Sequence, residues 1–289
     1  MTDLDLGLRR RFYAEEIQMA ANLKTAALVE ALASVPRERF LPPGPWTVKS
    51  EADIQGPPRQ TTDADPRHVY HNIGIAIDPA RTLFNGAPGL LSMAIEALAP
   101  SAGARILHLG TGLGYYTAIL AHCVGPSGRV VGIEVDAALA DAARANLAPY
   151  PWVEIRNENG TGGFGEHQTF DAMLINAGVT HPQSAWLDAL APGGRMVLPL
   201  TVGMPAMGPI GKGPLLLIAR GSDPAVFPVR VLTFVAIYSA IGLRDTSIEP
   251  ALGKALAANP FPPLKSFRRD GHDAGPTCWL HTDHGCLTT

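Results

Sequence analysis

At 289 residues, 46% of them hydrophobic, the chain is long enough to bury roughly three quarters of its unfolded surface around one sizeable core. A formal net charge of -3 excludes a sequence-wide basic field, so neither nucleic acid nor an anionic membrane is expected as a partner. The three cysteines are too sparse for a secreted disulfide framework, and MTDLDLGLRRRFYAEE lacks the apolar run of a signal peptide. Both observations predict a cytoplasmic protein, while oligomeric state is left open.

From Leu8 to about Val35, apolar residues recur at helical spacing, as at Phe12, Ile17, Ala20, Leu23, Ala27 and Leu32, before VPRERFLPPGP breaks the pattern. Leu41 to Pro66 is rich in Pro, Gly, Asp and Gln without periodicity, which predicts a long irregular segment. Residues 1–67 therefore read as a helical cap and its irregular continuation. From Val69 to Leu243 the text becomes a strand-then-helix rhythm, the mark of a parallel sheet covered by helices. Strands are predicted at ARILHL, GRVVGIEV, WVEIR, FDAMLIN and GRMVLPL, and helices at PGLLSMAIEALA, YYTAILAHC, AALADAARANLA and PQSAWLDALA.

PLLLIAR and FPVRVLTFVAIY follow as two further strands. The greasy VLTFVAIYSAIGL from Val231 falls short of the ~18 residues a membrane span needs and reads as buried sheet. Residues 244–289 form a C-terminal extension with one helix, EPALGKALAA, and a hairpin at TCWLHTDHGCL. The expected fold is α/β: a Rossmann-like, mostly parallel core over residues 68–243, with helices on both faces of its sheet.

The strongest chemical signal is HLGTGLGYYTAIL. A strand runs into Gly110, Thr111, Gly112, Leu113 and Gly114, and a helix starts at Tyr115. Glycines let the backbone turn sharply and approach a ligand, and a helix N-terminus offers N–H groups to an anion. Glu134, at the end of the next strand, lies 20 residues after Gly114, the spacing at which a carboxylate meets a ribose hydroxyl pair. A dinucleotide fingerprint requires a third glycine or an alanine where this chain has Tyr115. S-adenosylmethionine has no pyrophosphate, and its methionine carboxylate suits the helix N-terminus, so it is the expected cofactor.

LVEALASVPRERFLPPG, LGTGLGYYTAILA, FDAMLINAG and LAPGGRMVLPL, in that order, resemble the protein-L-isoaspartate O-methyltransferase family over about Ala26 to Leu243. The resemblance implies methyl transfer from S-adenosylmethionine to a carboxylate of a peptide or protein. By position it places Gly110, Thr111, Gly112, Gly114 and Tyr115 at the methionine arm, Glu134 at the ribose, and Asn159 and Gly160 along the adenine. Asn176, at its strand's carboxyl end, would face the ligand crevice. The family's Thr-Ile-Ser-x-Pro acceptor segment is here Phe84-Asn85-Gly86-Ala87-Pro88, with no hydroxyl in that triplet. Asn85 and Gly86 thus become the acceptor-site candidates, and turnover of isoaspartyl peptides is expected to be weak.

Blander readings stand beside these. Asn85-Gly86 before Pro88 is also an ordinary helix start, and Tyr115 and Tyr116 serve equally well as packing residues. An ionised carboxylate acceptor needs no general base; a hydroxyl or amine would, and His71 and His181 are then the first candidates. Cys278, His281, His284 and Cys286 are zinc-type ligands, but the alternation predicts a plain hairpin and no metal. Two alternatives remain: a methyltransferase of a small molecule or modified peptide, and a non-catalytic S-adenosylmethionine-binding protein.

Overall fold

The computed structural model describes residues 3–50, 53, 56–162, 164 and 168–289. In chain order its elements are α1 (Asp3–Ala21), α2 (Ala26–Ser34), β1 (Thr47–Lys49), β2 (Arg59–Gln60), β3 (Gly74–Asp78), β4 (Leu83–Phe84), α3 (Pro88–Leu98), β5 (Arg105–Leu109), α4 (Tyr115–Val124), β6 (Arg129–Glu134) and α5 (Ala137–Asn146). There follow β7 (Val153–Asn157), β8 (Phe170–Ile175), α6 (Ser184–Ala189), β9 (Leu190–Pro199), β10 (Val202–Gly203), β11 (Ile210–Ala219), β12 (Val226–Tyr238), α7 (Glu249–Ala258), β13 (Ser266–Arg268), β14 (Cys278–Thr282) and β15 (Gly285–Thr288). They form two interleaved compact units. One holds Met1–Gly103, Thr111–Gly132 and Asp136–Arg156; the other holds Ala104–Gly110, Ile133–Val135 and Asn157–Thr289. Among the described residues no helix is long and apolar enough to cross a membrane.

In the first unit the expected N-terminal helix is two helices. Asn22 takes a left-handed φ of 53°, and the Leu23 N–H returns to the Gln18 carbonyl at 3.0 Å, closing α1 with a Schellman turn. The buried face is also phased differently from the expectation: Tyr13, Ala14 and Ile17 are buried while Phe12 is 62% exposed. α2 starts at Thr25, whose N–H and hydroxyl both donate to the Glu96 carboxylate at 3.1 Å. The segment read as irregular carries two short strands of an antiparallel sheet ordered β2-β1-β3-β4. Within that segment Glu51, Ala52, Ile54 and Gln55 lie outside the described residues.

In the second unit β5, β8 and β9 run parallel, as their near-continuous apolar runs predict. The sheet then continues antiparallel in the order β9-β11-β12-β13-β15-β14, with β10 beside β11. Its core is Ile106, Leu107, Met173, Leu174, Val197, Leu198 and Leu216. β9 starts at Leu190, earlier than expected, because a register shift absorbs the turn around Gly193. β12 is the strand that was expected, but between Val231 and Tyr238 only Val235 is fully buried, so its greasy stretch is a half-exposed strand.

One buried charge organises the first unit. Arg37 is 0% exposed, and its Nη1 donates to the carbonyls of Val69 (2.7 Å) and His71 (3.0 Å) while Nη2 donates to Ile73 (2.8 Å). Nη2 also reaches Asn85 Oδ1 at 3.5 Å, and the guanidinium lies over the Tyr115 ring, 5.7 Å from its centroid. The fork therefore fixes the chain entering β3 and the residue leaving β4. Arg37→Met would remove the donor from one buried and two part-buried carbonyls, at a cost of about 3–5 kcal/mol in unfolding free energy. Urea denaturation checks this: an unchanged midpoint would show that the carbonyls find other partners.

Candidate functional site

The loop after β5 is built from backbone. Gly110 has φ 80°, and a Cβ there would stand 2.9 Å from the Asn176 carbonyl oxygen, so only glycine fits without strain. Its N–H donates to Ile133 O at 2.8 Å. The chain crosses from one unit to the other between Gly110 and Thr111. Thr111 is buried, and its Oγ1 has no hydrogen-bond partner among the described residues. Gly114 caps α4 with a left-handed φ of 96° and without any side-chain hydrogen bond, so the helix start is shaped by backbone alone.

Tyr115 opens that helix, but its ring turns into the core. It packs edge-on against Phe40 at 5.8 Å and Tyr116 at 5.0 Å, and its hydroxyl lies 3.3 Å from that of Tyr13. Burial raises its phenol well above the usual range. Tyr115 can offer a ligand its backbone, and its ring belongs to the packing.

In the second unit, Glu134 ends its strand nearly buried, at 7% exposed. Its carbonyl accepts from Glu158 N–H at 3.2 Å and Asn157 Nδ2 at 2.9 Å, tying the end of β6 to the end of β7. Asn159 is exposed, with Oδ1 taken by the Thr161 N–H and hydroxyl at 3.1 and 2.9 Å. Gly160 is buried, its carbonyl receiving the Trp186 indole N–H at 2.8 Å. Asn176 follows β8; its N–H donates to Leu109 O at 2.8 Å and its Nδ2 to Gly110 O at 3.4 Å. These bonds hold Gly110, Glu134, Gly160 and Asn176 around the carboxyl ends of their strands.

In the first unit, Asn85 points its Oδ1 back to the Ile75 N–H at 3.0 Å and to Arg37, while its Nδ2 is buried with no hydrogen-bond partner among the described residues. Gly86 accepts the Tyr116 hydroxyl on its carbonyl at 3.1 Å. Its φ is 79°, and a Cβ there would lie 2.8 Å from Leu91 Cδ2. A serine at Gly86 would be strained, so the family's hydroxyl cannot be restored at this position without cost. The sequence pattern singled out Asn85 but not Arg37, whose role rests on carbonyls that leave no mark in side-chain spacing.

Neither candidate base is poised for proton abstraction. His71 is exposed and precedes β3. His181 is nearly buried: its Nδ1 meets Thr180 Oγ1 at 3.1 Å, and its Nε2 accepts from Gln183 Nε2 at 3.1 Å. Its ring stacks on His284 at 3.6 Å between centroids, and His284 bonds Asp245 at 2.8 Å.

The family model for protein-L-isoaspartate(D-aspartate) O-methyltransferase matches residues 58–207, more than half of the chain. The chain belongs to the protein-L-isoaspartate O-methyltransferase family. A protein-L-isoaspartate O-methyltransferase of Methylorubrum populi is 33% identical over 78% of this chain and 92% of its own length. One of Aeropyrum pernix is 30% identical, with 64% of each chain covered, so the match spans less than two thirds of that relative. A solved protein-L-isoaspartate O-methyltransferase superposes with a TM-score of 0.66 at 17% identity, covering 96% of this chain and 87% of its own. A Plasmodium falciparum protein assigned to the same activity, solved with S-adenosyl-L-homocysteine, gives 0.58 at 16% identity, covering 80% and 97%. The fold is the Rossmann-like α/β fold of these enzymes, the family is one of S-adenosylmethionine-dependent methyltransferases, and S-adenosylmethionine is the cofactor.

Burial, then the neighbouring His284, pushes His181 down to about 4, against a smaller opposing pull from Asp245. Unfolded, an ordinary histidine takes a proton near 6.5, so the unfolded chain binds more protons between about pH 4 and 6.5. Stability from this group is therefore present above about pH 6.5 and falls as the pH drops towards 4. Asp245, held below its usual range first by the Ser247 hydroxyl and then by His284, adds acid sensitivity of the same sign at lower pH. Replacing His181 by Gln should flatten the melting temperature between pH 4 and 6.5, as scanning fluorimetry would show. An unaltered slope would place the sensitivity elsewhere.

Proposed function

We propose that this protein transfers a methyl group from S-adenosylmethionine to a carboxylate of a peptide or protein. The observation that carries the reading is Asn85: its carbonyl oxygen is committed to Ile75 and Arg37, leaving a single buried N–H2 group without a partner among the described residues. An ionised carboxylate is an acceptor only, and a fixed donor is what it needs to be oriented. In the second unit the Gly110 turn and the near-buried Glu134 also fit the methyl donor. When bound it supplies an electrophilic methyl on a sulfonium. Glu134 would accept from the ribose hydroxyls, Gly110 to Gly114 and the Tyr115 N–H would border the methionine arm, and Asn159 with Gly160 would lie along the adenine.

Asn176 keeps the loop in register through the Gly110 carbonyl. Asn85 Nδ2 aligns the acceptor, and the surrounding core excludes water. An ionised carboxylate arrives as its own nucleophile, in keeping with a His181 whose two ring nitrogens are engaged and a His71 that faces solvent. The catalytic core is residues 68–243, between a cap at 1–67 and an extension at 244–289. A cytoplasmic setting goes with the free thiols of Cys123, Cys278 and Cys286.

Two variants test the assignments. Glu134→Ala is expected to weaken S-adenosylmethionine binding by about 1.5–3 kcal/mol in calorimetry, because charge-assisted hydrogen bonds are lost. Equal affinity would remove Glu134 from the ribose site. Asn85→Asp keeps the oxygen that Ile75 and Arg37 bind but replaces the donor with a second oxygen. It should lower kcat/KM for labelled methyl transfer to a carboxylate-bearing peptide by roughly a hundredfold, with cofactor affinity unchanged. The labelled product is expected to be a base-labile ester, with isoaspartyl peptides poor acceptors for lack of the family's hydroxyl. A base-stable product, or full turnover by Asn85→Asp, would overturn the carboxylate assignment.

A further inference from the structure

The C-terminal extension gathers a second constellation, independent of the glycine loop. One ligand-type atom from each of His272, Cys278, His281 and Cys286 lies within 4.8 Å of every other, and Cys278 Sγ is 3.6 Å from His272 Nε2. A tetrahedral Zn2+ with bonds of about 2.3 Å to sulfur and 2.0–2.1 Å to nitrogen requires edges of roughly 3.3–3.8 Å, so a contraction of at most about 1.5 Å closes the set. The zinc-type residues in the hairpin sequence of the tail include His284 and not His272, and the sequence predicts a plain hairpin without metal there. In the fold His284 is committed to Asp245 and stacked on His181, and the segment after β13 delivers His272 instead.

The hairpin's register shows how this set converges. His281 pairs with Cys286 and Leu280 with Leu287, but Cys278 pairs with Thr288, so β14 carries one extra residue at Trp279. Side chains opposite each other in a pair share a face, as do alternate residues along a strand. Thr288 and Cys286 are alternate residues of β15, so the bulge moves Cys278 onto the face of His281 and Cys286. Unbulged alternation would place Cys278 with the buried Leu280.

The surroundings suit thiolate and imidazole ligands. His272 Nδ1 lies 2.9 Å from the Asp270 carbonyl, which can only accept, so the proton sits on Nδ1 and the Nε2 lone pair faces Cys278. The Gly275 N–H donates to Cys278 Sγ at 3.3 Å, a bond that strengthens when the sulfur is anionic. Cys286 is 1% exposed, and its Sγ makes a long 3.7 Å contact to the Leu287 carbonyl. Arg268, fixed by Asp270, sits beside Cys286 in the β13–β15 ladder and places a cation near the sulfurs.

We propose that His272, Cys278, His281 and Cys286 bind one Zn2+ that staples the terminal hairpin to the segment following β13. Two thiolates and two neutral imidazoles balance the ion's charge and fill a tetrahedral shell, so the site is structural rather than catalytic. Binding displaces the Sγ protons of Cys278 and Cys286 to solvent. The metal would also hold the turn that carries His284 against His181.

The test uses the full-length protein expressed in zinc-replete medium and purified without chelator. Mass spectrometry of the metal is expected to find about one zinc per chain, falling at least tenfold in the Cys278→Ser, Cys286→Ser double variant and staying intact in His284→Ala. Co2+ added to metal-stripped wild type should give the absorption of tetrahedral, thiolate-bound cobalt, which does not depend on the variants folding. Zinc retained in the double serine variant would overturn the proposal. So would a Cys278–Cys286 disulfide in protein prepared with reductant, or the absence of both zinc and a cobalt–thiolate band in the wild type.

Discussion

A guanidinium taken wholly out of water must recover its hydration from its neighbours. Arg37 recovers it from the carbonyls of Val69, His71 and Ile73 and from the amide oxygen of Asn85, with the Tyr115 ring beneath it. None of these partners is a carboxylate, so the cation is solvated by dipoles, and each dipole is fixed in return. Three consequences follow in the first unit. The chain enters β3 on a single path, Asn85 keeps one rotamer, and the first residue of α4 is anchored in the core. The acceptor-site candidate and the end of the glycine loop thereby rest on one side chain.

This dependence explains what the sequence could and could not disclose. VPRERF is conspicuous as a string, yet the work of its first arginine is done on backbone atoms more than thirty residues away, which carry no side-chain identity to read. The same blindness applies at Asn22, where an asparagine in the left-handed region ends a helix that apolar spacing alone would continue. Strands β5, β8 and β9 were legible because strands covered on both faces need unbroken apolar runs. β12 misled in burial though not in type: its run is apolar, but much of it stays half-exposed at a position in the sheet that composition does not specify.

The two halves of the chemistry differ in the same way. The glycine loop is legible because its requirement is backbone conformation, and glycine at Gly110 is the direct trace of a φ of 80° and a carbonyl 2.9 Å from where a Cβ would stand. The Tyr115 ring was ambiguous because a large aromatic at a helix start serves packing and ligand contact equally well, and only the aromatic neighbours decide. In the tail, residue types pointed to metal ligands, but membership turned on a bulge at Trp279 and on His272, outside the hairpin. Registers of that kind are set by pairing, which no single segment reveals.

On the carboxylate reading, exchanging a hydroxyl for Asn85 alters more than one hydrogen bond. A hydroxyl rotates and can donate or accept, so it adapts to several poses of an acceptor. The Asn85 amide cannot flip: turning it would set Nδ2 against the Ile75 N–H and the Arg37 guanidinium, two donors facing a third. Its donor is thus fixed in direction before any acceptor arrives, and preorganisation of this kind favours the one geometry in which the attacking oxygen is in line. Gly86 supplies no compensating side chain, and one placed there would be strained by the left-handed backbone and would crowd Leu91. On this reading a rigid donor beside a glycine narrows the range of acceptors by geometry rather than charge.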